Sequence, residues 1–206
     1  HLNMVHAWRS VQSYLQLRAD DVIALAIPPT FSYGLYNLLM GLGVGATVVL
    51  EAQAAFPAQV VETLRREQAT VFPGVPTLFA SLLELEHFNA AQLPTLRLVT
   101  NAAAALAPTH LSQLRHRLPD ARLLSMYGMT ECMRISYLPP EQLDSRPGSV
   151  GRGMPNQAHW LVDEAGQPLP HGSTGELVVR GSHVMRGYWR RPEATAERLK
   201  PGAHPG

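Results

Sequence analysis

Apolar positions change their period repeatedly along the first two-thirds of the chain. Val5, Trp8, Val11 and Leu15 recur at helical spacing. Asp20-Asp21 then turns the chain into Val22-Ile23-Ala24-Leu25-Ala26-Ile27, a short apolar run that predicts a buried strand ended by Pro28-Pro29. Leu35, Leu38, Leu39 and Leu42 predict a helix, and the glycines after it lead into Thr47-Val48-Val49-Leu50. Pro57 opens a helix with Val60, Val61 and Leu64 on one face, and Thr70-Val71-Phe72 reads as strand. Thr77 is expected to cap a helix through Leu78, Leu82 and Leu83. A strand over Leu96–Val99, a helix from Pro108 to Leu118 and a strand over Ala121–Ser125 complete the series. Strands separated by helices predict an α/β fold with a mostly parallel, helix-covered sheet.

After Pro147 the texture changes. Glycine and proline become frequent, and His159–Val162 and Glu176–Arg180 flank turn sequences that predict antiparallel hairpins. The expected organisation is an α/β subdomain over 1–147 and a smaller, barrel-like antiparallel β-rich subdomain, truncated, over 148–206.

Composition narrows the function classes. With 46% hydrophobic and 16% charged residues in 206, the chain is globular rather than disordered. A formal charge of +1, without a basic block, argues against nucleic acid or an anionic membrane as partner. No apolar run approaches the roughly 18 residues of a membrane span. The single cysteine, Cys132, cannot pair within the chain, which fits a reducing, cytoplasmic setting. The chain starts at His1 rather than an initiator methionine, and a piece of something longer is the expectation.

The chemistry concentrates in Leu123-Leu124-Ser125-Met126-Tyr127-Gly128-Met129-Thr130-Glu131. A buried strand ends here in an aromatic, a glycine, a hydroxyl and a carboxylate, at the edge where open α/β sheets bind ligands. Gly128 lets backbone approach a ligand closely. Thr130 offers a hydroxyl to a phosphate oxygen, Glu131 hard oxygens to Mg²⁺, and Tyr127 a flat face to a base. The same residues also read as a plain strand-to-loop corner with a solvated glutamate. Cys132 reads as a packing residue, no base standing near it in sequence, and the nine histidines lack the i,i+4 pairing suited to zinc.

Tyr127-Gly128-Met129-Thr130-Glu131 resembles the Tyr-Gly-x-Thr-Glu motif of the adenylate-forming superfamily: acyl-CoA synthetases, peptide-synthetase adenylation domains and luciferases. Gly175-Glu176-Leu177-Val178-Val179-Arg180-Gly181 with Val184-Met185-Arg186-Gly187-Tyr188-Trp189 is similar to a second family signature. Gly148-Ser149-Val150-Gly151-Arg152-Gly153-Met154-Pro155 and Phe72-Pro73-Gly74-Val75-Pro76-Thr77 match two further segments, in the family's order.

The resemblance implies roles. Tyr127 would stack on adenine, Thr130 would hold the α-phosphate of ATP, and Glu131 would bind Mg²⁺, making Thr130 and Glu131 the catalytic pair. Ser125, Met126, Gly128 and Met129 would complete that nucleotide segment. Asn101, Ala102, Ala103 and Ala104 occupy the place of a glycine-containing turn along the adenine. Alanine there keeps a close approach only if its φ is negative. Phe31, Ser32, Tyr33 and Gly34, with Val75, resemble the lining of the acyl pocket, Phe31 standing where many relatives have histidine. The implied reaction joins a small-molecule carboxylic acid, with fatty, aryl and short acids all open, to AMP and passes the acyl group to coenzyme A or to the phosphopantetheine of an acyl carrier protein.

The family's phosphate loop would precede His1-Leu2-Asn3. Its ribose-binding aspartate and its lysine-bearing C-terminal domain would follow Lys200. The implied piece is therefore the centre of a large N-terminal domain, with negligible turnover alone. A non-catalytic nucleotide- or acyl-binding module that keeps the fold is the competing reading.

Overall fold

The computed structural model describes residues 1–200; the tail of the expected second unit, 201–206, lies outside the described residues. In chain order the elements begin with α1 (Leu2–Leu15), β1 (Val22–Leu25), α2 (Ser32–Val44), β2 (Thr47–Leu50), α3 (Pro57–Arg66), β3 (Val71–Gly74) and α4 (Pro76–Leu83). They continue with β4 (Leu98–Asn101), α5 (Pro108–Arg117), β5 (Arg122–Tyr127), β6 (Ser136–Leu138), β7 (Arg152–Gly153), β8 (Gln157–Val162), β9 (Glu176–Gly181) and α6 (Pro192–Arg198).

The larger sheet has seven strands in the order β2-β1-β3-β4-β5-β6-β7. Its first five are mutually parallel, and β6 and β7 are antiparallel additions. Successive residues of each central strand feed opposite faces, as a pleat requires. Ala24, Phe72, Val99 and Leu123 join the core under α3, α4 and α5. Ile23, Val71, Leu98 and Leu124 join the core under α1 and α2. Burial on both faces explains why β1 reads as an unbroken apolar run and the other central strands as mostly apolar ones.

The expected helix-covered parallel sheet is present, with local differences. Thr77 does not cap α4: Val75 is the N-cap and Pro76 takes the first helical turn, where its missing N–H costs nothing. In α2 the buried side is Tyr33, Gly34, Asn37, Met40 and Gly41. Leu35, Leu39 and Leu42 stay exposed. A Cβ on Gly41 would stand 2.6 Å from Val48 Cγ2 and 2.8 Å from Ile23 Cδ1, so the glycine face is what lets α2 seat on β1 and β2.

β8 and β9 form a separate two-stranded antiparallel sheet, as the hairpin pattern implied. The large sheet runs past position 147, because Arg152 and Gly153 pair with Tyr137 and Ser136 to add β7.

Candidate active site

Parallel strands deliver their carboxyl ends to one edge of the sheet. Gly74 lies beside Asn101 and Asn101 beside Ser125, so the segments leaving β3, β4 and β5 emerge together. Tyr127 ends β5 at the surface, and the chain then turns through Gly128. That turn is tight. A Cβ on Gly128 would meet the Met133 carbonyl oxygen at 2.5 Å and Arg134 Cα at 2.8 Å.

Beyond the turn Met129 and Thr130 are exposed and Glu131 is half-buried. Thr130 Oγ1 donates to Ser32 Oγ at 3.2 Å, which ties this segment to the first turn of α2. Glu131 Oε1 accepts a hydrogen bond from the Tyr188 hydroxyl at 2.5 Å, and the Glu131 carbonyl accepts from the Met185 amide at 2.7 Å. No hydrogen bond among the described residues engages Glu131 Oε2. The 182–184 loop is also held by Asn3, whose side-chain amide donates to the carbonyls of Ser182 and Val184 at 2.7 and 2.6 Å.

Ser125 sits half-buried between Asn101 and Leu138. Met126 points into the core under α1, where its sulfur accepts from the Tyr14 hydroxyl at 3.7 Å. Asn101 is fully buried. Its amide nitrogen donates to the Ala104 carbonyl at 3.1 Å, while Oδ1 has no partner. Ala102 is buried and Ala103 and Ala104 are exposed. Ala103 has φ 75°, so the condition of negative φ for a close approach is not met there. The turn keeps a left-handed geometry natural to glycine, and alanine carries its steric cost.

A cavity of about 690 Å³ opens beside Ser32. Phe31, Ser32, Tyr33, Val75, Ala103 and Ala104 all line it, so the expected acyl segment, Val75 and the alanine turn share one space. Gly34 does not line it. It packs behind the wall, where a Cβ would stand 2.7 Å from the Ile27 carbonyl oxygen. Ala26 after β1, Ala54 and Ala55 before α3, and Ser81 on α4 complete the wall, and no sequence motif marked them for it. These residues carry no chemistry-bearing side chain in a motif, and only the fold collects them.

Tyr33 is buried and hydrogen-bonded to Thr100, its hydroxyl 2.7 Å from Oγ1. The Arg134 guanidinium lies 4.9 Å from its ring centroid. Burial pushes the Tyr33 phenol up, against the nearby Arg134 charge. Cys132 is buried, and burial with the Glu131 charge pushes its thiol up to about 11, in keeping with a packing role.

Among the described residues no group of three or more His, Cys, Asp or Glu could hold a metal. Mg²⁺ usually takes one or two carboxylates and completes its shell with water and phosphate oxygens. The half-buried Glu131, with Oε2 open, fits that donor chemistry.

The family model described as AMP-binding enzyme matches residues 1–189. The chain belongs to this family. Among curated relatives, a benzoate–CoA ligase of Thauera aromatica is 36% identical over 199 residues, covering 95% of the chain and 37% of the relative. A long-chain-fatty-acid–CoA ligase of Haemophilus influenzae is 33% identical over 179 residues, covering 86% and 32%. The chain thus spans about a third of the length of these relatives. Among solved structures, VinN superposes with a TM-score of 0.88 at 39% identity, over 98% of this chain and 50% of that one. ATP-bound MatB from Rhodopseudomonas palustris superposes at 0.86 with 28% identity, over 97% and 39%.

Proposed function

We propose that this chain supplies the acyl pocket and the α-phosphate side of an AMP-forming carboxylate ligase. A carboxylate oxygen of a small acid attacks the α-phosphorus of ATP, diphosphate leaves, and an acyl-adenylate remains. A thiol, of coenzyme A or of carrier-protein phosphopantetheine, then attacks the acyl carbon and releases AMP. The observation that carries this reading is the Thr130–Ser32 hydrogen bond, which joins the segment after β5 to the wall of the cavity.

Residue roles follow from position. Tyr127, exposed at the end of β5, offers a stacking face for adenine. The turn from Asn101 to Ala104 and the backbone from Ser125 to Met129 flank that face, with the orphaned Asn101 Oδ1 as an acceptor. Thr130 would turn its hydroxyl proton from Ser32 to an α-phosphate oxygen. Glu131 would hold Mg²⁺, which when bound offsets negative charge on the phosphates. Phe31, Ser32, Tyr33 and Val75 would bound the acid, with Gly34 setting the seat of that wall.

The phosphate loop and the lysine-bearing domain known from the family are expected elsewhere in the parent protein, so the 206-residue chain alone should show negligible turnover. Robust acyl-adenylate formation by the purified chain would contradict this. The direct test is calorimetric titration of the chain with AMP and Mg²⁺. Tyr127→Ala and Glu131→Ala should each weaken binding by about tenfold, on the order of one charged hydrogen bond or one stacked base. Unchanged binding in both variants would reject the assignment.

A further inference from the structure

Among the described residues, no charged side chain lines the cavity beside Ser32. Ala26, Phe31, Ala54, Val75, Leu78 and Ala103 are among its lining residues, and the only polar side-chain atoms of the lining are hydroxyls. The Tyr33 hydroxyl is already engaged by Thr100. Arg134, buried close to this region, lies over the Tyr33 ring and is not part of the wall. A ligand's ammonium group or second carboxylate would find no counter-charge there. Taking an unpaired ion out of water is costly, whereas apolar surface gains by the transfer.

Resting on the ligase reading, we infer that the acid taken by this site has a single carboxylate and an otherwise uncharged, apolar body. Phe31 sets that preference. It precedes the first turn of α2 and presents an apolar ring to the cavity, with 64% of its surface exposed before a ligand arrives. A carboxylate at this position would favour an ammonium-bearing acid, and a neutral ring does not.

The test uses the 206-residue chain and direct binding, by saturation-transfer NMR with calorimetric confirmation. Butyrate, hexanoate and octanoate form one series. Adipate and 6-aminohexanoate match hexanoate in length and add one charge of either sign, and L-aspartate adds both. AMP binding is measured on the same sample. Affinity should rise by about two- to fourfold per methylene, up to the roughly 0.8 kcal/mol of a buried CH₂. Adipate, 6-aminohexanoate and L-aspartate should bind at least roughly tenfold more weakly than hexanoate. Phe31→Asp should lose hexanoate by a similar factor, while Phe31→Leu stays within about threefold, because Leu keeps the apolar contact.

If adipate or 6-aminohexanoate binds as well as hexanoate, the inference is overturned while AMP binding, and the ligase reading with it, stands. If no acid binds although AMP does, the cavity is not the acid site and the inference is again overturned. If AMP itself does not bind, the ligase reading fails, and the two acid series still decide whether the cavity discriminates against charge.

Discussion

The Tyr188 hydroxyl donates to Glu131 Oε1 at 2.5 Å, across 57 positions of sequence. One short bond therefore links two segments that each resemble a family signature. The hydrogen bond to Glu131 pushes the Tyr188 phenol above its ordinary value, with burial and the carboxylate charge acting the same way. Because the folded value is raised, the contact contributes fully below the unfolded phenol's pKa of about 10 and is lost as pH rises through the higher folded value. Tyr188→Phe should delete one late-titrating phenol from the ultraviolet absorbance titration. It should also weaken AMP–Mg²⁺ binding roughly fivefold, by freeing the carboxylate to rotate. A variant indistinguishable from wild type in both measurements would make the contact incidental.

Ala103 holds φ 75° in the turn braced by Asn101. A left-handed conformation costs a Cβ-bearing residue about 1–2 kcal/mol, and glycine returns part of that through its freer unfolded chain. Ala103→Gly should therefore stabilise the protein by about 0.5–1 kcal/mol, read as a higher urea midpoint. A lower midpoint would mean that the alanine methyl packs to advantage.

Asp21 is buried at the start of β1. Arg97 donates to both its oxygens, through Nη2 at 2.5 Å and Nε at 2.8 Å, and Thr70 Oγ1 and the Arg18 amide add two more bonds. Burial alone would raise this carboxyl, but the bonds from Arg97, Thr70 and Arg18, with the Arg97 charge, hold it below the usual carboxylate range. A lowered folded value stabilises above the unfolded pKa of about 3.9, and that stability is lost as pH falls through the folded value. Asp21→Asn should cost about 2–3 kcal/mol at pH 7, since Arg97 is left largely buried without its partner. The gap between variant and wild type should be flat from pH 7 to about 5 and shrink below about 4, as followed by urea midpoints across pH.

Gly128 has no room for a side chain. Gly128→Ala would press a methyl onto the Met133 carbonyl and the Arg134 backbone, neither of which is the free end of a flexible side chain. The expected cost is about 2 kcal/mol, with AMP binding reduced further than stability alone explains because Tyr127 and Thr130 flank the turn. Thermal unfolding and AMP titration on the same variant separate the two effects.

The sequence showed the sheet well because buried parallel strands leave short apolar runs, unbroken in Val22–Ile27 and interrupted only by Arg97 in Leu96–Val99. It showed the wrong emphasis in α2, which is apolar nearly all round. Periodicity could not tell that the glycine face packs and that Leu35, Leu39 and Leu42 do not. β6 and β7 escaped notice because strands of three and two residues are too short to carry a period. At the site, the segment 127–131 is legible as a local string of chemistry-bearing residues. The hold of Tyr188 on Glu131, of Asn3 on the 182–184 loop, and the alanines of the cavity wall are contacts between distant positions, and local pattern says nothing about those.

β2 lies at one border of the large sheet, with Leu50 59% exposed and no strand beyond it among the described residues. Its outer flank presents unmatched amides and carbonyls, and Thr47-Val48-Val49-Leu50 carries no charge to deter a visitor. The isolated chain should therefore adhere to its own copies through this flank, seen as light scattering that grows with concentration and disappears on Val49→Lys. Self-adhesion at a border strand, rather than loss of the native state, then sets the ceiling on how concentrated a sample can become.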